Sequence, residues 1–551
     1  MKVSFSKLLT SAVLLSTTAL QAQDIQDVLS KGKITGNFQI ETQYYQEDTL
    51  IGAEQPNEQV LSNGFLNLIY TNGGFSAGVR YESYQNALLG YPTGYKGSGI
   101  PYRFASYNTD DLSITVGNFY EQFGNGLVLR AYEERGLGYD NALDGIRVKY
   151  KVKKGIQFTG LIGQQRLFFE KGEGIVRAFD ATINLNETFA SLEQSKTKVT
   201  FGGSVVSKYE ADDNPDFILP ENVPAFSART IISRGKFNIN AEYAFKANDP
   251  STDNNFNYRD GNAAFIQATY SQRGLGVSLS AKRVDNFSFR SERTAGQQDL
   301  FINYQPALTK QHTYNLLATL YPYATQPNGE TALQGDVIYN FKKGSVLGGK
   351  YGTTLQLNAA FAFDIAKDTI NPLNDTERNI YKSNYFETGQ RFFRDLNVQI
   401  NKKLSKDFKM ILTYSNLLYN QAVIEGKPPE TPMITAHIGV VEGTYKFNMR
   451  NSLRFEAQVL KTKQDQGDWA TGLLEYSYSP HWFVAALGQY NYDNPKADEV
   501  LYYNISAGYN NQGNRISLSY GRQRAGIFCV GGVCRVVPAS NGLYLSITSS
   551  F

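Results

Sequence analysis

Histidine, tryptophan, cysteine and methionine are scarce in this 551-residue chain: three, two, two and four. His312, His437 and His481 lie far apart and share no metal-ligand spacing with the cysteines, so no metal centre is expected; each reads as structural or as a rim residue. Lysine and arginine (54) nearly balance aspartate and glutamate (51), which leaves no basic footprint and excludes nucleic acid as a partner. The chain has no Gly-x-Ser-x-Gly elbow. Gly344 to Tyr351 nearly spells a phosphate-binding loop, but Tyr351 stands where the magnesium-binding hydroxyl belongs, so a turn is expected. The acidic stretch Asp212 to Asp216 lacks the ligand spacing of a calcium loop and reads as solvated. No catalytic residue or cofactor is expected, and an embedded hydrolase would need a Ser or Asp constellation that the sequence does not display.

Long apolar runs are also missing. The stretch Leu8 to Leu20, preceded by Lys2 and Lys7, is too short for a membrane helix of about 20 residues. It reads as a secretory signal peptide over residues 1–22, cut after Ala22, with no cysteine following to accept a lipid. The remainder, 23–551, is expected to be one domain. The mean hydropathy of the whole chain, -0.37, would suit a soluble protein, but a barrel hides from hydropathy because alternate residues alone meet lipid.

What is abundant is tyrosine (37), phenylalanine (34) and glycine (49). Period-two alternation recurs throughout: Ile34, Gly36, Phe38 and Ile40 interleave with Thr35, Asn37, Gln39 and Glu41, and Phe237 to Phe245 repeats the pattern. Short turns such as Asn72-Gly73-Gly74 and Ser233-Arg234-Gly235 take turns with longer polar stretches near 47–58, 209–223, 247–259 and 366–390. Charged residues on the alternate face, among them Arg80, Arg147 and Lys149, which would favour anions, and Glu41, Glu82, Glu242 and Glu456, predict a hydrated mixed wall and assign no ion selectivity. Leu543, Leu545, Ile547 and Phe551 share the apolar face of the final segment, as expected for the closing strand and assembly signal of an outer-membrane barrel. The fold class is therefore all-β, a transmembrane antiparallel barrel in the cell outer membrane. About 26 strands are expected, with 24 as runner-up; Leu300 to Tyr304 is the segment that brings the count to an even number.

A barrel of this size needs something in its lumen. Asp24 to Gly32 is too short for a folded plug domain, which argues against an energised receptor. The expected internal element is the loop from Gly117 to Asn141. Folded inward, it would set Arg130 and Arg135 against Glu133 and Glu134 across the pore, with Tyr139 and Asp140 nearby, and the resulting transverse field would select solutes. A solvated external hairpin is the alternative.

Cys529-Val530-Gly531-Gly532-Val533-Cys534 places two cysteines symmetrically about a Gly-Gly turn, facing each other within disulfide range. A disulfide and a rigid external tip are expected, with free thiols or a metal pair as alternatives. The stretch Gly117 to Val148 and the ending from Tyr520-Gly521-Arg522 through the cysteine hairpin to Pro538 resemble an uncharacterised family of large outer-membrane barrels from Bacteroidota. The resemblance implies the barrel and the compartment but carries no assigned activity. The function expected is a passive channel or facilitator for small polar solutes. The alternative is a structural or docking subunit of a secretion or assembly complex. Outer-membrane lipid, the barrel assembly machinery and other outer-membrane or periplasmic proteins are the expected partners.

Overall fold

In a computed structural model, the described residues are 32–370, 381–494, 499–530 and 533–551, without the side chains of 528–530, 533 and 535. The expected signal peptide, residues 1–22, lies outside them.

Twenty-four strands of the described residues form one antiparallel sheet that closes on itself. Closure is made by Ser540–Ser550, which pairs with Asn514–Gln523 on one side and with the first strand, Lys33–Gln46, on the other. The strand count is thus 24, correcting the main expectation of 26. Leu300 to Tyr304 is not part of the wall, and Gly526–Val530 with Val533–Val537 forms a separate ribbon.

Alternation puts Val79, Ile114, Ile146, Leu279, Leu333 and Ile505 on the outside, all at least one-third exposed, as a lipid-facing belt requires. Aromatic pairs gather at the end with short turns: Phe237 with Tyr270 and Trp482 with Tyr509, each with centroids 4.7 Å apart. That arrangement matches an interfacial girdle. The two-residue turns there require positive φ, met by Gly73, Gly155, Gly235 and Gly274 at +56°, +82°, +58° and +85°. Gly344, at +82°, lies in a turn at the same end. The opposite end carries the long connections, chiefly 86–96, 120–142, 247–260 and 286–328.

The inward face is not uniformly wet. Ala225, Ala244, Ala263, Val284, Ala332, Ala362 and Ala436 are fully buried wall residues in one cluster with Leu127, Leu129, Ile302, Leu316 and Leu317 of the long connections. Small wall side chains leave room for large loop side chains, the complementarity of a packed core. Lys208, Lys246 and Lys282 also point inward with no exposure, each within 3.5 Å of a carboxylate oxygen. Of the charges taken as signs of hydration, Arg80 and Glu82 are likewise a desolvated pair, whereas Arg147 and Lys149 keep partial exposure beside Glu121.

Candidate functional site: a lumen closed by its own loops

Two connections enter the barrel and bond to each other. The Arg130 backbone N–H donates to the Ile302 carbonyl at 2.8 Å, and the Ile302 N–H donates to Phe289 at 2.8 Å. The Tyr304 N–H reaches the Gly126 carbonyl at 2.9 Å. Leu300 to Tyr304 is thus not a strand: Leu300 sits in a turn at φ +57°, Phe301 makes an isolated bridge to Arg290, and Ile302 and Tyr304 hydrogen-bond to the other connection inside the lumen. The segment 286–328 carries most of the plug and went unrecognised in the sequence. Its signal was a connection of unusual length between Leu275–Asp285 and Gly329–Phe341, holding Phe287, Phe289, Leu316, Leu317, Tyr321 and Tyr323.

Buried polar contacts fix both connections to the wall. Lys282 Nζ donates to the Pro306 carbonyl at 2.7 Å, and the Tyr323 hydroxyl donates to Glu330 at 2.7 Å. His312 Nε2 lies 2.6 Å from Asp395, and the Leu316 N–H donates to Gln458 at 3.0 Å. In the other connection, the Asn125 N–H donates to Glu242 at 2.6 Å. Gly124 makes this approach at φ +54°, where a Cβ would come within 2.4 Å of the Glu242 carboxylate.

The candidate constriction residues are placed as follows. Asp140 meets two wall guanidiniums, Arg80 and Arg166, which also hold Glu82 at 2.7 and 2.6 Å. Glu133 joins this cluster through Arg80 at 2.9 Å. Arg135 pairs with Glu133 at 2.7 Å within the same connection and reaches Gln39 of the first strand at 3.1 Å. Arg130 lies between the rings of Tyr132 and Tyr304, 4.4 and 3.9 Å from their centroids. Glu134 accepts from the Gly136 N–H. These residues are brought together, but not as opposed rows. The arginines are held locally, and the counter-charges of Asp140 come from the wall, because short-range desolvated pairs outweigh a field across an open space.

A cavity of about 570 Å³ opens between these elements at the long-loop end. Tyr91, Tyr132, Tyr139, Phe301 and Tyr304 supply aromatic faces, and Gln298 and Gln305 supply amides. Burial pushes the phenols of Tyr132 and Tyr139 well above their ordinary range, keeping them as neutral hydroxyls. Arg290 is consumed by structure, bonding Asp253 at 2.7 Å and the carbonyls of Gln297 and Asp299 at 2.8 and 2.5 Å. Cys534 and Val536 complete the rim. The register sets Cys529 opposite Cys534, while the disulfide expected there involves a side chain outside the described residues. The hairpin base packs on the 86–96 connection, where Gly90 is so close to Val536, Val537 and Pro538 that an added Cβ would come within about 3 Å of each.

A closed barrel with an apolar belt and a plug made from its own connections defines a large transmembrane barrel of the outer-membrane kind. The chain belongs to a family described as of unknown function, DUF6029, which it matches over residues 4–551. No curated protein matches it. Among solved structures it is similar to the siderophore receptor PirA from Pseudomonas aeruginosa, at 10% identity over 94% of this chain and 80% of that one, TM-score 0.39. It is similar to a mutant of the ferric enterobactin receptor PfeA from the same organism in complex with enterobactin, at 10%, 94% and 81%, TM-score 0.43. It is also similar to OccK11 from P. aeruginosa, at 7%, 95% and 97%, TM-score 0.31.

Proposed function

We propose that the chain is an outer-membrane facilitator for a small polar solute, with the lumen held nearly shut by two of its own connections. The observation that carries this reading is the cavity of about 570 Å³ whose tyrosines, amides and plug backbone belong to the elements that close the pore. A site of that size suits a small ligand, with aromatic walls for contact area and amides for orientation. On this reading, the residues 120–142 and 286–328 form the constriction together. Leu543, Leu545, Ile547 and Phe551 serve as the signal to the barrel assembly machinery. The docking reading rested on a large barrel without a plug and on a rigid cysteine tip, whereas the hairpin base leans on 86–96 and borders the cavity.

The test is planar-bilayer conductance of the purified protein against a variant in which residues 290–325 are replaced by a short Gly-Ser link. The unaltered protein should give small steady currents. The truncated barrel should conduct on the order of tenfold more, since a lumen of 24 strands is wide once emptied. Equal currents from the two proteins would overturn the reading.

A further inference from the structure

A second chamber of about 490 Å³ lies between the short plug helix Asn315–Thr319 and the wall strands Asp468–Tyr478, Trp482–Asp493 and Val500–Asn511. Arg524 lines it. Its guanidinium donates to the Thr319 carbonyl and hydroxyl and to the Ala525 carbonyl, all neutral acceptors. Among the described residues it makes no ion pair, unlike its neighbour Arg522, which is neutralised by Asp48 at 2.6 Å. Arg80, Arg166, Lys208, Lys246 and Lys282, by contrast, each have a carboxylate. Asp465 acts on Arg524 through space but stands beyond ion-pair distance, and a guanidinium inside a barrel without a contacting carboxylate is costly and persists where something else supplies the anion.

Two more polar atoms in the chamber lining are buried without a hydrogen-bond partner: Asn315 Oδ1, an acceptor, and Gln489 Nε2, a donor. Leu473, Leu487 and Ile527 add apolar surface. The chamber therefore presents the Arg524 guanidinium, the unpartnered Gln489 amide donor and Asn315 amide acceptor, and an apolar floor. The first two suit an anionic head, the acceptor suits a hydroxyl, and the volume suits a molecule of sugar size rather than a simple inorganic ion.

We propose that this chamber binds a small hydroxylated organic anion, with Arg524 holding its charged group and Asn315 and Gln489 its polar atoms. The inference rests on the facilitator reading for its biological meaning, but binding is measurable without transport. Trp469 stands beside the chamber, its ring 5.9 Å from the Arg524 guanidinium, while Trp482 lies exposed on the outer wall. In a Trp482→Phe background, Trp469 is the sole tryptophan and reports occupancy.

The experiment is titration of that full-length protein in detergent with gluconate, with glucose 6-phosphate and with neutral glucose, following Trp469 fluorescence. Saturable changes with the two anions and none with glucose are expected. Arg524→Gln should weaken binding roughly tenfold or more, the worth of a charge-assisted hydrogen bond. Arg524→Lys should retain part of it. Gln489→Leu, which leaves the Thr319 contacts in place, should weaken it in a barrel that still migrates as folded. Equal response to glucose and gluconate, or undiminished binding in both Arg524→Gln and Gln489→Leu, would overturn the proposal, as would no response to either anion. Gluconate binding in a barrel whose truncated form fails to conduct more would keep this site and overturn the facilitator reading.

Discussion

Lys282 and Glu330, on adjacent wall strands, meet at 2.7 Å with neither side chain reaching solvent. The same two groups hold the plug: Lys282 through the Pro306 carbonyl, Glu330 through the Tyr323 hydroxyl and the Gln326 N–H at 2.8 Å. Replacing Lys282 with Met leaves a buried carboxylate unpaired, which should destabilise the docked plug by about 3–5 kcal/mol. The double variant Lys282→Met, Glu330→Leu should recover most of that loss. Limited proteolysis of 286–328 in the folded barrel reads the difference; cleavage no faster in the single variant than in the double would refute it.

Asp140 is the counter-charge shared by Arg80 and Arg166. Asp140→Asn leaves the two guanidiniums with Glu82 and, on Arg80, Glu133, so the connection 120–142 should loosen by roughly 1–3 kcal/mol, the worth of a charge-assisted hydrogen bond. Faster amide hydrogen exchange over residues 121–141, with wall strands unchanged, is the expected outcome.

Acid should loosen the connection 247–260 through Asp249. Burial alone would raise this carboxyl, but Lys208 at 2.7 Å and Lys246 at 3.3 Å outweigh it and hold it below its ordinary value of 3.8. A depressed carboxyl contributes stability that is present above the unfolded value and lost as pH falls through the folded one. Glu210, raised by burial in the same cluster, works in the opposite sense. The Asp249→Asn variant should therefore start less stable at pH 7 and lose less on acidification below about pH 4. Thermal unfolding in detergent across that range measures it; parallel curves for the two proteins would count against the assignment.

The backbone register sets Cys529 opposite Cys534. A disulfide closing so short a loop should contribute about 2 kcal/mol through chain entropy. Resistance to maleimide labelling until a reductant is added, with a small fall in melting temperature afterwards, is expected. Immediate labelling of both thiols would exclude the bond.

Much of the wall was legible because lipid and lumen impose a period of two on neighbouring residues. The final segment shows this most directly: Leu543 stands beside Tyr44 and Tyr520, closing the ring as its alternation predicts. The candidate loop after Leu112–Phe119 was also found, since glycines, aromatics and mixed charge set it apart from a solvated connection. Leu300 to Tyr304 misled for the same physical reason that the wall was readable. A segment with one packed face has the same alternation whether its hydrogen bonds go to the wall or, as for Ile302, to Arg130 and Phe289.

Sequence alone determined the barrel class, the lipid-facing belt and the glycine turns, because each depends on residues adjacent along the chain. Tertiary structure decided the number of wall strands, the entry of 286–328 into the lumen, the partners of Arg80, Arg166 and Lys282, and, among the described residues, the lack of an ion pair at Arg524. Those depend on which of many inward charges become neighbours across the barrel, and in a desolvated interior a charge is defined by its partner, which local spacing does not encode.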